Sequence, residues 1–136
     1  ISERAFREIY LRGFEIAVKE SQPMCIMTSY NLINGIHAAN NHDICTVAAR
    51  EEWGFEGVIM TDWTTTLPEC GSISRLCARA GNDLIMPGMQ IDYDEMMQAY
   101  GDGALTDEEI RACAARIINV ILQTNAYEEA VPYGTK

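Results

Sequence analysis

An α/β fold built on a parallel sheet is what this sequence predicts. Three short apolar runs, MCIMTSY (24–30), GVIMTD (57–62) and NDLIMPG (82–88), alternate with stretches whose apolar residues recur at helical spacing. Strands separated by helices must run parallel, because each crossover returns the chain to the same edge of the sheet. The 136 residues suffice for one core, yet they fall well short of the roughly 250 residues of a complete eightfold β/α barrel. Open sheet and barrel segment both remain compatible with the pattern.

The first helix is expected over SERAFREIYLRGFEIAVKE (2–20), with Ser2 as cap and Glu3 in the first turn. It would bury Phe6, Ile9, Tyr10, Gly13, Phe14, Ala17 and Val18 on one face. Pro23 closes the connection to the first strand, which turns polar at Thr28, Ser29 and Tyr30. NLINGIHAANNHD (31–43) reads as a long polar loop, and TVAAREEWG (46–54) as a short helix capped by Thr46 and stopped at Gly54. After the strand 57–62, SISRLCARAG (72–81) is a third helix closed by Gly81, and the third strand ends at Pro87 and Gly88.

DYDEMMQAYGDG (92–103) suggests one more short helix. In TDEEIRACAARIINVILQT (106–124) Thr106 and Glu109 form a capping box ahead of a stripe of Ile110, Cys113, Ala114, Ile117, Ile121 and Leu122. From Asn125 to Lys136 periodicity is lost, and the segment reads as a linker.

Composition narrows the function classes. Twenty Asp and Glu against ten Lys and Arg give a formal charge of −10, which argues against nucleic-acid or anionic-membrane partners and for a neutral ligand. No apolar stretch approaches the roughly 20 residues of a membrane-spanning helix, and no signal-peptide order is visible. The chain opens on Ile1, so its natural start is expected to be absent, and the sequence assigns no compartment. Cys25, Cys45, Cys70, Cys77 and Cys113 show no metal-ligand spacing, and an odd count does not suit a disulfide framework. His37 and His42 read as loop residues. No metal and no cofactor are expected.

In parallel α/β sheets ligands bind at the carboxyl ends of the strands. Those ends are Thr28 to Asn31, Thr61 to Trp63 and Met86 to Gly88. Neighbouring strands lie about 4.8 Å apart, so Tyr30 and Asp62, at equivalent ends of adjacent strands, can reach hydrogen-bond distance. A phenol donating to Asp62 would favour its ionised form and leave an oriented nucleophile. Trp63 adds an aromatic face and Met27 lies a few residues before Tyr30, a combination suited to a pyranose ring. The plainer alternative, in which Asp62 caps the following turn and Trp63 merely packs, is equally compatible with this local pattern.

The longer text adds weight. SERAFREIYLRGFEIAVKE, IMTSYNLINGIHAANN, REEWGFEGVIMTDW and AGNDLIMPG together resemble glycoside hydrolase family 3, the retaining β-glucosidases and their relatives, from residue 1 to about residue 124. The resemblance implies that residues 1–124 are the C-terminal part of the family's barrel domain, roughly the last three strand-helix units of a TIM-type barrel. Residues 125–136 would begin an interdomain linker. Asp62 matches the catalytic nucleophile, Tyr30 the tyrosine that hydrogen-bonds it, and Trp63 and Met27 the sugar subsite. Asn31, Asn34 and Gly35 match the segment that shapes the neighbouring loop, although asparagines there also serve turns.

Two departures accompany the resemblance. Thr64 stands where the family usually has Gly after Asp-Trp, and neither the upstream sugar-holding residues nor the general acid/base has a match. Retaining hydrolysis needs a second carboxyl about 5 to 5.5 Å from the nucleophile, and Glu69, the nearest candidate in sequence, reads as an ordinary loop acid. The expected parent is therefore a β-glucosidase acting on a β-glucoside or oligosaccharide, with the acid/base supplied by another domain. A β-xylosidase of the same family and a sugar-binding remnant without catalysis are the alternatives. Alone, the chain is expected to be inactive and to self-associate, because three strands cannot close a barrel and one sheet face would meet water.

Overall fold

The computed structural model describes residues 1–124; the linker expected over 125–136 lies outside the described residues. Its centre is a parallel pair, β1 (Cys25–Met27) beside β4 (Val58–Met60), in the register Cys25↔Val58, Ile26↔Ile59 and Met27↔Met60. Backbone bonds from Val58 N to Met24 O and from Thr28 N to Met60 O, each 2.9 Å, extend the pairing at both ends. Gly57 is required at its start, since a Cβ there would stand 2.4 Å from the Met24 carbonyl oxygen.

The third run joins as a single parallel bridge, Met60↔Leu84, rather than as the expected strand. Asp83 N and Leu84 N both turn to Ile59 O, the Thr61 hydroxyl takes the Met86 amide at 2.9 Å, and Pro87 has no amide to offer. The α/β character with parallel strands is thus present, and the sheet among the described residues holds two strands and this bridge.

Several helices depart from the simple 3.6-residue reading. A first turn, α1 (Glu3–Ala5), is capped by the Ser2 hydroxyl, continues as a π-helical segment Phe6–Tyr10, and leads to α2 (Arg12–Ser21). The wider π turn shifts the register, so Leu11 and Val18 are buried while Ile9, Tyr10, Phe14 and Ala17 are exposed. The expected loop 31–43 contains a small antiparallel hairpin, β2 (Leu32–Ile33) and β3 (Ile36–His37). Its turn is Asn34-Gly35 with φ of 50° and 89°, the left-handed pair that a two-residue hairpin favours. A π-helical segment then spans Asp43–Glu52, three residues earlier than expected, and Asn41 Oδ1 rather than the Thr46 hydroxyl accepts an amide at its start, that of Ile44 at 3.3 Å. The Thr46 hydroxyl instead donates to Ala80 O.

α3 (Ser74–Ala80) ends as expected at Gly81 with φ 84°. α4 (Gln90–Gly101) and α5 (Asp107–Leu122) follow, and α5 carries the full capping box between Thr106 and Glu109. Its expected stripe is buried only at Cys113, with Ile121 and Leu122 exposed. The amino-terminal half of α5 packs on Ala78, Ala99 and Leu105, and the later half runs past them.

The main core joins Leu11, Val18, Cys45, Ala48, Ala49, Trp53, Phe55, Ile59 and Ala80, with Ile26 against it. It is closed below by a buried ion cluster. The Asp83 carboxylate is fully buried and receives Arg50 Nη2 at 2.6 Å, Arg116 Nε at 2.7 Å and the Ile59 amide at 2.9 Å. Arg50 also donates to the carbonyls of Gly57 and Gly81. One carboxylate so ties β4, the helix before it, and α5.

Candidate active site

Strand alternation sorts the residues of β1 and β4 onto two faces. Ile26, Thr28, Ile59 and Thr61 point to the helices: Ile26 and Ile59 meet the main core, and both threonines are buried. Cys25, Met27, Met60 and Asp62 share the other face, where Cys25 and Met27 are exposed and Met60 and Asp62 half-buried. The second set is the uncovered one. Val58 alone on that face is buried, at its lower end.

Asp62 follows the last ladder residue by two positions, so it stands at the carboxyl edge on the open face. One of its oxygens, Oδ1, accepts the Trp63 amide at 2.7 Å. Trp63 is 58% exposed and Met27 54%, which leaves two apolar residues open to solvent beside a carboxylate.

The Tyr30 hydroxyl reaches across from the end of β1, as its position predicts, but its partner is the carbonyl oxygen of Trp63. The expected phenol-to-carboxylate bond is not formed among the described residues; the phenol meets the backbone next to Asp62 instead. That same carbonyl accepts the Thr64 hydroxyl at 2.7 Å. Thr64 has φ 62°, and its amide donates to Met86 O at 2.9 Å, which links the end of the third run to this loop.

Beneath the site lies a polar layer that the sequence reading did not assign. Asn82 donates to the Thr28 hydroxyl at 2.9 Å, Thr28 leans on Met60 O, and Thr61 holds the Met86 amide. The available signal was the position of Thr28 and Thr61 at matching strand ends. Asn34 and Gly35 form the hairpin turn, the Asn34 side chain bonds the amino group and carbonyl of Ile1, and Asn31 Oδ1 accepts the Ser29 hydroxyl while its backbone carbonyl accepts the Ala38 amide. His37 is buried on β3 rather than free in a loop. Its Nδ1 accepts the Ala39 amide at 3.1 Å, and burial holds its pKa below the ordinary value. Glu69 is exposed in the loop beyond Asp62. Among the described residues no group of three His, Cys, Asp or Glu side chains is arranged to hold a metal ion.

A carboxylate bonded to a neighbouring amide on an uncovered face, beside an exposed tryptophan, brings together a group that can serve as a nucleophile and a surface on which a neutral ring can pack. Residues 1–120 match the family described as the glycosyl hydrolase family 3 N-terminal domain. The chain is 39% identical over 130 residues to β-glucosidase B of Emericella nidulans, covering 94% of this chain and 15% of that protein. It is 42% identical over 126 residues to an exo-α-(1→6)-L-arabinopyranosidase of Bifidobacterium breve, covering 93% and 16%. Among solved structures, β-glucosidase 3B of Thermotoga neapolitana in complex with glucose superposes with a TM-score of 0.82 at 42% identity, covering 90% of this chain and 18% of that one. The chain thus spans a small part of the length of the relatives it matches.

Proposed function

Since this chain belongs to glycosyl hydrolase family 3, we propose that it carries the nucleophile side of a retaining β-glycosidase site, with a terminal β-D-glucosyl residue as substrate. The observation that supports this reading best is Asp62 at the end of β4 on the uncovered sheet face, beside the exposed Trp63 ring. Residues 1–124 would be the last three strand-helix units of a (β/α) barrel, with β1, β4 and the Leu84 run as its final strands. Residues 125–136 would begin the linker to the next domain.

In the proposed reaction an Asp62 carboxylate oxygen bonds to the anomeric carbon as the glycosidic C–O bond breaks. The electron pair leaves on the aglycone oxygen, which takes a proton from a carboxylic acid outside this chain. Water, deprotonated by that same group, then cleaves the glycosyl ester and restores Asp62. Trp63 and Met27 would pack on the sugar ring, and Tyr30 would hold the loop that carries the nucleophile. Two carboxyl groups and water suffice, so the scheme requires no metal or cofactor, and the net charge of −10 suits neither nucleic acid nor an anionic membrane surface.

A 2-deoxy-2-fluoro-β-glucoside with a good leaving group should inactivate the full-length protein and label the peptide containing Asp62. Label on another carboxylate would refute the assignment. Xylosides and L-arabinopyranosides belong in the same panel, the second because of the relative from Bifidobacterium breve. The isolated 136-residue chain should turn over no nitrophenyl glucoside and should scatter light as an oligomer, through its open face and unpaired strand edge. A clean monomer, or turnover lost on Asp62→Ala, would contradict one half or the other of that statement.

A further inference from the structure

The Trp63 carbonyl oxygen is the one backbone group of the site that receives two side-chain donors, the hydroxyls of Tyr30 and Thr64. A carbonyl has two lone pairs, so these donors fill its capacity. On the other side of the same residue, the Trp63 amide donates to Asp62 Oδ1 at 2.7 Å. Trp63 therefore has both backbone polar groups committed, one to the carboxylate and one to the two hydroxyls. Any rotation about its backbone would move the indole and the carboxylate together.

Thr64 holds its place at a cost. At φ 62° it lies in the left-handed region, where a β-branched side chain is an outlier and Gly or Asn would rest without strain. The surroundings over-determine it: its amide bonds to Met86 O at 2.9 Å, and its carbonyl accepts the Leu67 amide at 3.1 Å. Gly at this position could adopt the same backbone but would leave the Trp63 carbonyl with Tyr30 alone.

We infer that Thr64 is a positioning residue for the nucleophile, acting together with Tyr30 at the Trp63 carbonyl oxygen. This inference rests on the proposed role of Asp62. It places two hydroxyls from two different segments on one backbone atom, and so makes their contributions interdependent.

The test uses the full-length protein and the rate of glycosylation by a 2,4-dinitrophenyl 2-deoxy-2-fluoro-β-glucoside, with inactivation rate and inactivator affinity resolved separately. Thr64→Val, which keeps the shape and loses the hydroxyl, should slow inactivation about three- to tenfold with affinity changed less. Thr64→Ser should restore the rate to within about twofold, and Thr64→Gly, which relieves the backbone, should stay slow. Tyr30→Phe combined with Thr64→Val should lose less than the product of the two single losses. Wild-type rates in Thr64→Val or Thr64→Gly, or a double variant equal to that product, would overturn the inference. If Thr64→Val does not fold, Thr64→Gly decides it. A wild-type protein labelled away from Asp62 would instead overturn the functional reading.

Discussion

The two faces of the β1–β4 pair differ in what their residues do. Ile26, Thr28, Ile59 and Thr61 are packed or hydrogen-bonded on the helix side, where burial of an isoleucine is worth about 1.5–3 kcal/mol. Met27, Met60 and Asp62 alternate with them along the same strands and remain exposed or half-buried. Stability therefore resides mainly on one face and the proposed reactivity on the other, although single peptide units separate them. Substitutions should report one property or the other, depending on which of the two alternating sets of its strand the residue belongs to.

The largest separation is expected at Asp62. Asp62→Ala in the full-length protein should lower turnover of an aryl β-glucoside by about 10⁴-fold or more, as loss of a covalent nucleophile does. Its unfolding free energy should stay within about 0.5 kcal/mol of the wild type. A large stability loss would show that the open face also holds the fold. The converse is expected at Asp83, on the covered side. Asp83→Asn leaves Arg50 and Arg116 without their shared carboxylate and should destabilise by about 3 kcal/mol, near the low end for a broken buried pair because Arg116 keeps some contact with water. Affinity for substrate in the remaining folded protein should not change, and chemical denaturation beside steady-state kinetics would check both statements.

A smaller effect should sharpen the contrast at His37, buried on the hairpin. Burial lowers its pKa from the ordinary 6.5, so the unfolded chain binds this proton more readily than the folded one. The stability it permits is complete above pH 6.5 and is lost as pH falls toward the depressed folded value. His37→Asn, whose Oδ1 can accept the Ala39 amide in place of Nδ1, should flatten that part of the profile. Identical slopes for the two proteins between about pH 5 and 7 would contradict the assignment.

These contrasts were only partly legible in the sequence. β4, α3 with its Gly81 stop and the capped start of α5 are local signals, and the structure keeps them. The π-helical segments at Phe6–Tyr10 and Asp43–Glu52 were not legible, because a register shift of one residue moves Leu11 inward against a 3.6-residue pattern. The Asn34-Gly35 hairpin carried a turn signal, but its strands are two residues long and show no alternation. At the candidate site, strand-end logic brought Tyr30 near Asp62. It could not choose between the carboxylate and the carbonyl one residue on, since that choice depends on the left-handed turn at Thr64.

The central claim, that Asp62 is the group attacking the anomeric carbon from the open face, is tested most directly by rescue with an external nucleophile. Asp62→Ala should be inert toward 2,4-dinitrophenyl β-glucoside alone and regain turnover with sodium azide, which enters the space of the missing carboxylate. A single displacement inverts the centre, so the account predicts α-glucosyl azide as the product. A β-configured azide would identify Asp62 as the acid/base, and absence of rescue in a folded variant would contradict its role as nucleophile.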